Sequence, residues 1–417
     1  MTECIAFCLM VCCNGVNVMQ VEKLIELHEL ARKEAVNYPL RRFLYSDISQ
    51  MEGRHFTGIV GPRGSGKTVM LRQYALEHQD AFYLAADTLE AGDDAWDIIQ
   101  TLQEHYSYRT FLLDEIHFLP DAASLLKRLY DFRKLRVLFS SSVALAMHAS
   151  AYDLSRRVRM ATLFPFSYRE YVFFKEGMSL KPLTVDAVAG GQWDPDHVRA
   201  GRFFNGYLRG GLLPFSLEEP DPLPLLRNTI EKVIARDIPS VMRLAVDELE
   251  TIRRLLRFIG SSGVDGINYS SLSRNLGITK YKAEQYAGCL EKAFVLHRLF
   301  PAGTNVVREP KVLMAPPCRL LYRAYEEAAG GLREDFFVEA VKQAGLPVRY
   351  LKSRRGAKTP DFLVGEEGSE VVAEVGGKGK GRSQFKGIED FRKVIFADTP
   401  VPDEKRVPLF MAGYLAP

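Results

Sequence analysis

Long hydrophobic runs, a cysteine framework, strong net charge and internal repeats are all missing from this sequence. Each absence excludes something. The apolar start, MTECIAFCLMVCCNGVNVMQ, is too short to cross a bilayer. It carries Glu3 and lacks the basic region of a secretory signal, so no membrane association is expected. It reads as an extension, residues 1–18, with Met19 an equal starting point, ahead of an anchor or a metal site. Four of the six cysteines (Cys4, Cys8, Cys12 and Cys13) fall inside it, and only Cys289 and Cys318 follow. The remainder holds no disulfide framework, which points to a reducing cytoplasm. The net charge is only +3, so any nucleic-acid surface must be a local patch.

What is present is the balance of a globular protein, with 47% hydrophobic and 26% charged residues. A chain of 417 residues exceeds one ordinary core and implies two or three domains. From His55 short apolar runs alternate with helical segments. HFTGIV, AFYLAA, RTFLLDEI and RVLFSSS read as buried strands, and a fifth is expected over Arg159–Phe166. TVMLRQYALEH, DDAWDIIQTLQEH and DAASLLKRLYDFRK read as the helices between them. That alternation predicts an α/β fold with a parallel sheet covered on both faces.

After Phe166 the pattern becomes helical, broken at GGQWDPD and GGLLPFSLEEPDPLP. Around INYSSLSRNLGITKYKAEQYAGCLEKAFVLHRLF two short helices meet at a Leu-Gly-Ile turn. Ser270 is expected to cap the first and Thr279 the second. Tyr286, Leu290 and Phe294 share one face of the second. A strand follows, as in a winged helix. Near the end, EDFFVEAVKQAG reads as a helix ahead of a strand, a turn and a strand.

The stretch Gly61-Pro62-Arg63-Gly64-Ser65-Gly66-Lys67-Thr68 fits G-x-x-x-x-G-K-[ST] between a strand and a helix, the context of a phosphate loop. Its backbone, through Val69, would wrap the phosphates of ATP. Lys67 would reach the β- and γ-phosphates, and Thr68 would bind Mg²⁺. RTFLLDEIHFLP places Asp114 and Glu115 at the C-terminal edge of the strand beside that loop. Asp114 would hold Mg²⁺, and Glu115 would polarise the attacking water. Ser140, Ser141 and Ser142 end the next strand, where a polar residue such as Ser141 could touch the γ-phosphate. Among Arg156, Arg157 and Arg159, Arg157 is the candidate to stabilise transition-state charge across a subunit boundary.

The run from FLLDEIHFLPDAASLLKRLYDFRKLRVLFSSSVALAM to DLSRRVRMATLFPFSYREYVFF, with the later YLRGGLLPFS and VIARDI, resembles bacterial and archaeal ATPases. These pair an AAA_14 core with a DUF4143 region. The resemblance covers about Leu40 to Val375. It implies an additional-strand (ASCE) ATPase core at 19–170, a helical lid and connector at 171–246 and a winged helix at 247–305. Residues 306–417 would form a restriction-endonuclease-like domain. Arg157 matches the family's arginine, and Arg236 and Asp237 its Arg-Asp pair. Where Ser140 stands, such families often have glycine.

A nuclease of the PD-(D/E)xK type needs acids for Mg²⁺ and a lysine near the water. Glu339, Asp361 and Glu374 supply the acids. Gly376 stands where the lysine is expected, so cleavage is expected to be lost and the fold kept for binding. Lys378, Lys380, Arg382 and Lys386 form a basic run, with Lys352, Arg354, Arg355 and Lys358 upstream; both suit a phosphate backbone. Lys280 and Lys282 head the expected recognition helix. The leading reading is an oligomeric (dimeric or hexameric) DNA-binding ATPase acting on duplex or branched DNA, such as four-way junctions. The alternatives are a nucleotide-controlled switch that docks a protein, and an ATP-dependent nuclease.

Overall fold

This is a computed structural model describing residues 18–90, 92–142, 154–242, 244–263, 266–303, 309–351, 359–377, 385 and 391–415. The extension up to residue 17 lies outside them. The chain divides into two units, Met1–Leu163 and Phe164–Pro417.

In the first unit five strands form a parallel sheet: β1 (Phe56–Val60), β2 (Ala81–Ala85), β3 (Thr110–Asp114), β4 (Arg136–Ser141) and β5 (Val158–Thr162). Their spatial order is β2-β3-β4-β1-β5. The first three strands are buried along their length or nearly so, as apolar runs of a sheet covered on both faces require. Helices α1 (Val18–Ala35), α2 (Leu44–Gln50), α3 (Lys67–Glu77), α4 (Ala95–Tyr106) and α5 (Ala122–Phe132) surround it. Spacings of three and four put Val21, Leu24, His28, Ala31 and Ala35 on the buried stripe of α1. Asp94 and Asp121 cap α4 and α5 by accepting backbone N–H groups with their side chains.

Two expectations change here. The fifth strand is shorter than Arg159–Phe166 because Pro165 cannot donate to a ladder. Leu163 instead turns over the phosphate loop, its N–H bonded to the Val60 carbonyl at 2.7 Å. The acid-bearing strand β3 is also not beside β1, because β4 lies between them. Each strand step spans about 4.8 Å, so the acids stand about 10 Å from the loop strand.

The second unit begins with α6 (Tyr168–Glu176), whose Ser167 and Glu170 form a capping box. An aromatic core follows, with Tyr168, Phe204, Tyr207, Phe336, Phe410 and Tyr414 in ring contact. Helices α7 (Val246–Ser261), α8 (Tyr269–Leu276) and α9 (Lys280–Lys292) precede an antiparallel pair, β6 (Leu296–Leu299) and β7 (Lys311–Met314). Thr279 caps α9 as expected. Asn268, not Ser270, caps α8, and the Ser270 hydroxyl goes to Glu309 at 2.6 Å. Phe294 lies past the end of α9 at φ +60°, so it is not on that helix's face.

Helix α10 starts at Tyr325, well before EDFF, and runs to Gln343. A mixed sheet follows in the order β12-β11-β10-β9-β8. Its strands are β8 (Val348–Tyr350), β9 (Phe362–Val364), β10 (Val371–Gly376), β11 (Arg392–Ala397) and β12 (Val407–Pro408). The β8-β9-β10 part is antiparallel, whereas β11 joins β10 in parallel.

Candidate nucleotide site

The loop between β1 and α3 is shaped by its glycines. A Cβ on Gly61 would sit 2.1 Å from the Leu163 carbonyl oxygen, so no other residue fits. Gly64 and Gly66 have φ of +79° and +94°, a region that favours glycine. Lys67 opens α3 and is buried; its ammonium donates to the Gly61 and Pro62 carbonyls at 2.8 and 2.9 Å. Thr68 and Val69 follow, half-buried in the first turn. First-turn N–H groups lack helical acceptors and suit an anion.

A strap upstream of β1, not apparent from the sequence pattern, holds this helix. The buried guanidinium of Arg42 donates to the Ser65 carbonyl inside the loop. Gln73 Nε2 donates to the Tyr38 and Leu40 carbonyls at 2.6 and 2.9 Å. Arg41 and Tyr45 both bond Glu77 at the far end of α3. The available signal was YPLRRF, two arginines in an apolar stretch directly before α2.

Asp114 is buried at the end of β3. One carboxylate oxygen accepts the Tyr83 hydroxyl at 2.7 Å, and the other accepts the Ser140 hydroxyl. Burial, with Asp114 next to it, pushes the Tyr83 hydroxyl well above its ordinary range, so it stays a donor. Glu115 adopts φ +50°, ψ +49°, uncommon for a residue with a Cβ. Its carboxylate accepts the Ser142 N–H at 3.0 Å, lies 3.3 Å from His117 Nδ1 and 3.8 Å from Arg63 Nη1. The Ser140 hydroxyl also accepts the Glu115 N–H at 2.9 Å. Ser141 instead faces His117 Nδ1 at 3.3 Å.

Arg157 precedes β5 and makes two bonds to Asp131 on α5, at 3.0 and 2.9 Å. Its guanidinium also lies over the Tyr130 ring. This position is set by its own chain.

In the second unit, Lys280 pairs with Glu309, and Lys282 with Glu248 at 3.1 Å. A hydrogen bond from Tyr286, the Ala245 N–H and Lys282 pull Glu248 down to about 2. Glu339 accepts from His297 at 2.6 Å. Asp361 immediately precedes β9 and accepts the Val375 N–H at 2.8 Å. Glu374 is fully buried on β10. Asp237 is buried, while Arg236 is exposed. Lys378, Lys380, Arg382, Lys386 and the upstream cluster Lys352, Arg354, Arg355 and Lys358 lie outside the described residues. Among the described residues no helix is long and apolar enough to cross a membrane.

With this geometry in place, one family model matches the first part of the chain. Residues 53–172 match the AAA_14 family, an AAA domain. This stretch is therefore an AAA-type P-loop domain. Residues 204–316 match a domain of unknown function, DUF8612, in a region where the resemblance implied DUF4143. An uncharacterized protein of Methanocaldococcus jannaschii, MJ1637, is 25% identical, covering 86% of this chain and 83% of its own length.

Solved structures give low TM-scores. The Aeropyrum pernix Orc1 protein in complex with DNA scores 0.31 at 12% identity, covering 75% of this chain and 93% of that one. The S. cerevisiae Hsp104–ADP complex scores 0.30 at 18% identity, covering 60% and 38%. At such scores neither carries an argument about function.

Proposed function

We propose that the AAA domain binds ATP and hydrolyses it to ADP and phosphate. The single observation behind this is that the Ser140 hydroxyl touches both Asp114 and the Glu115 backbone, which sets the two acids opposite the phosphate loop. The loop and Lys67 hold the phosphates. Glu115 takes the proton from the attacking water. The Thr68 hydroxyl and the Asp114 carboxylate are oxygen donors of the kind a hard divalent cation takes, so the residues fit Mg²⁺. Such an ion supplies neutralisation of phosphate charge. The chain's own residues do the rest: Tyr83 and Ser140 orient Asp114, and Lys67 waits inside the loop.

The proposed use of this energy is to hold and release duplex or branched DNA, in an oligomer whose neighbouring subunits complete each site. Support comes from the basic run at Lys378–Lys386 and from the two-helix-and-hairpin unit of α8, α9, β6 and β7. One observation favours a second reading, a switch that docks a protein partner. Lys280 and Lys282 are each paired with an acid, which leaves Tyr281 exposed on the first turn of α9.

ATPase rates with and without duplex and four-way-junction DNA separate the two. Stimulation with a steep salt dependence, lost when Lys378, Lys380 and Arg382 are neutralised, supports the DNA reading. Unchanged turnover with DNA supports the docking switch. Glu115→Gln should retain ATP binding and lower kcat by about 100-fold or more. Full turnover in that variant would remove Glu115 from the chemistry.

A further inference from the structure

We propose that the side chain of Arg63, beyond its place in the loop backbone, is the cation that meets the transferred phosphate. Glu115 holds it until nucleotide arrives. This rests on the reading of the site as an ATPase.

The guanidinium Nη1 of Arg63 lies 3.8 Å from Glu115 Oε1, and the two side chains are only 13% and 17% exposed. Charges so poorly solvated attract more strongly than a surface pair. Arg63 sits at the third position of the phosphate loop, between Gly61 and the helix that Lys67 opens. It is thus the loop's own cationic side chain on the side of the acids. Arg157, expected from the sequence to serve this purpose, is bound twice to Asp131 on α5.

Glu115 is engaged by the Ser142 N–H, His117 and Arg63. Oε2 faces the Ser142 N–H and His117, which leaves Oε1, the oxygen facing Arg63, to take a water proton. A γ-phosphate entering the loop carries more negative charge than Glu115, and a planar guanidinium fork matches phosphate oxygens. The guanidinium then moves from carboxylate to phosphate and frees Oε1. The water oxygen attacks the γ-phosphorus while Glu115 takes a water proton. The bond to the bridging oxygen breaks and ADP keeps that oxygen. Glu115 afterwards returns the proton to solvent. One residue therefore stabilises the transferred charge and arms the base only when nucleotide is present.

The test compares the full-length protein with Arg63→Ala, Arg63→Lys and the double variant Arg63→Ala/Glu115→Gln. It measures kcat and KM for MgATP and the affinity for ADP. Arg63→Ala should lose about 100-fold in kcat while ADP affinity changes less than about threefold. Lysine should restore part of the rate, since a point charge cannot form the fork. In the Glu115→Gln background, Arg63→Ala should add less than about threefold, as coupled residues do. A kcat near wild type in Arg63→Ala overturns the proposal. So does an equal loss of ADP and ATP binding, which marks a deformed loop. A wild-type protein that binds ATP without hydrolysing it, or does not bind it, overturns the ATPase reading itself and this inference with it.

Discussion

The Ser140 hydroxyl donates to the carboxylate of Asp114 on the neighbouring strand, and the same oxygen accepts the N–H of Glu115. One side chain on β4 thus links Asp114 to Glu115.

Ser140→Ala follows directly. The variant removes a donor from a buried carboxylate and an acceptor from the backbone at a left-handed residue. Loss of a partner of this kind lowers activity by about 10–100-fold. ATP binding should change less, because the loop and Lys67 stay intact. Steady-state kcat and nucleotide titration check this split. Ser141→Ala serves as the comparison: Ser141 faces His117 and not Asp114, so a larger loss there would shift the linking role to Ser141.

The phosphate loop and the two acids were legible in the sequence because each is a local signal. A glycine pattern sits between an apolar run and a helix, and an Asp-Glu pair ends another apolar run. The order of strands was not legible. Nothing in RVLFSSS says that its strand inserts between β1 and β3, and only that insertion makes Ser140 the link. Arg42 was missed for the same reason, since its meeting with Ser65 joins residues 23 positions apart. Lys280 and Lys282 read as a basic helix start, yet Glu309 and Glu248, distant in sequence, neutralise them.

Arg319 offers a stability test within the second unit. It is 1% exposed and pairs with fully buried Asp335, bonding it at 2.6 and 3.1 Å. It also donates to the Ile259 and Ser262 carbonyls, and Asp335 accepts the Met314 N–H. The pair therefore ties α7, β7 and α10 together. Burial pushes the Asp335 carboxyl up, with Arg319 pulling it back. Arg319→Met leaves that carboxylate buried and unpaired, which costs about 3–5 kcal/mol. Arg319→Met with Asp335→Leu should recover much of the loss. Urea unfolding of the three proteins checks it, and equal losses in single and double variants would contradict the pairing.

His28 gives the first unit a pH dependence whose sign can be worked out. It lies on the buried stripe of α1, stacked on Phe82, and its Nδ1 accepts the Tyr83 N–H at 3.1 Å. Because β2 is the edge of the sheet, this bond satisfies an amide that has no strand partner on that side. Only the unprotonated ring nitrogen can accept it. Burial lowers His28 to about 4, with Glu29 raising it and Arg32 lowering it by smaller amounts. The unfolded histidine titrates near about 6.5. Between these values the unfolded chain binds the extra proton, so stability falls as pH drops from about 6.5 towards 4 and stays flat above. In His28→Gln the amide oxygen can still accept the Tyr83 N–H but does not titrate. The expected outcome is a thermal midpoint that falls less between pH 7.5 and pH 5 than in the wild type, measured by nucleotide-free calorimetry. Equal falls in both proteins would place the acid sensitivity elsewhere.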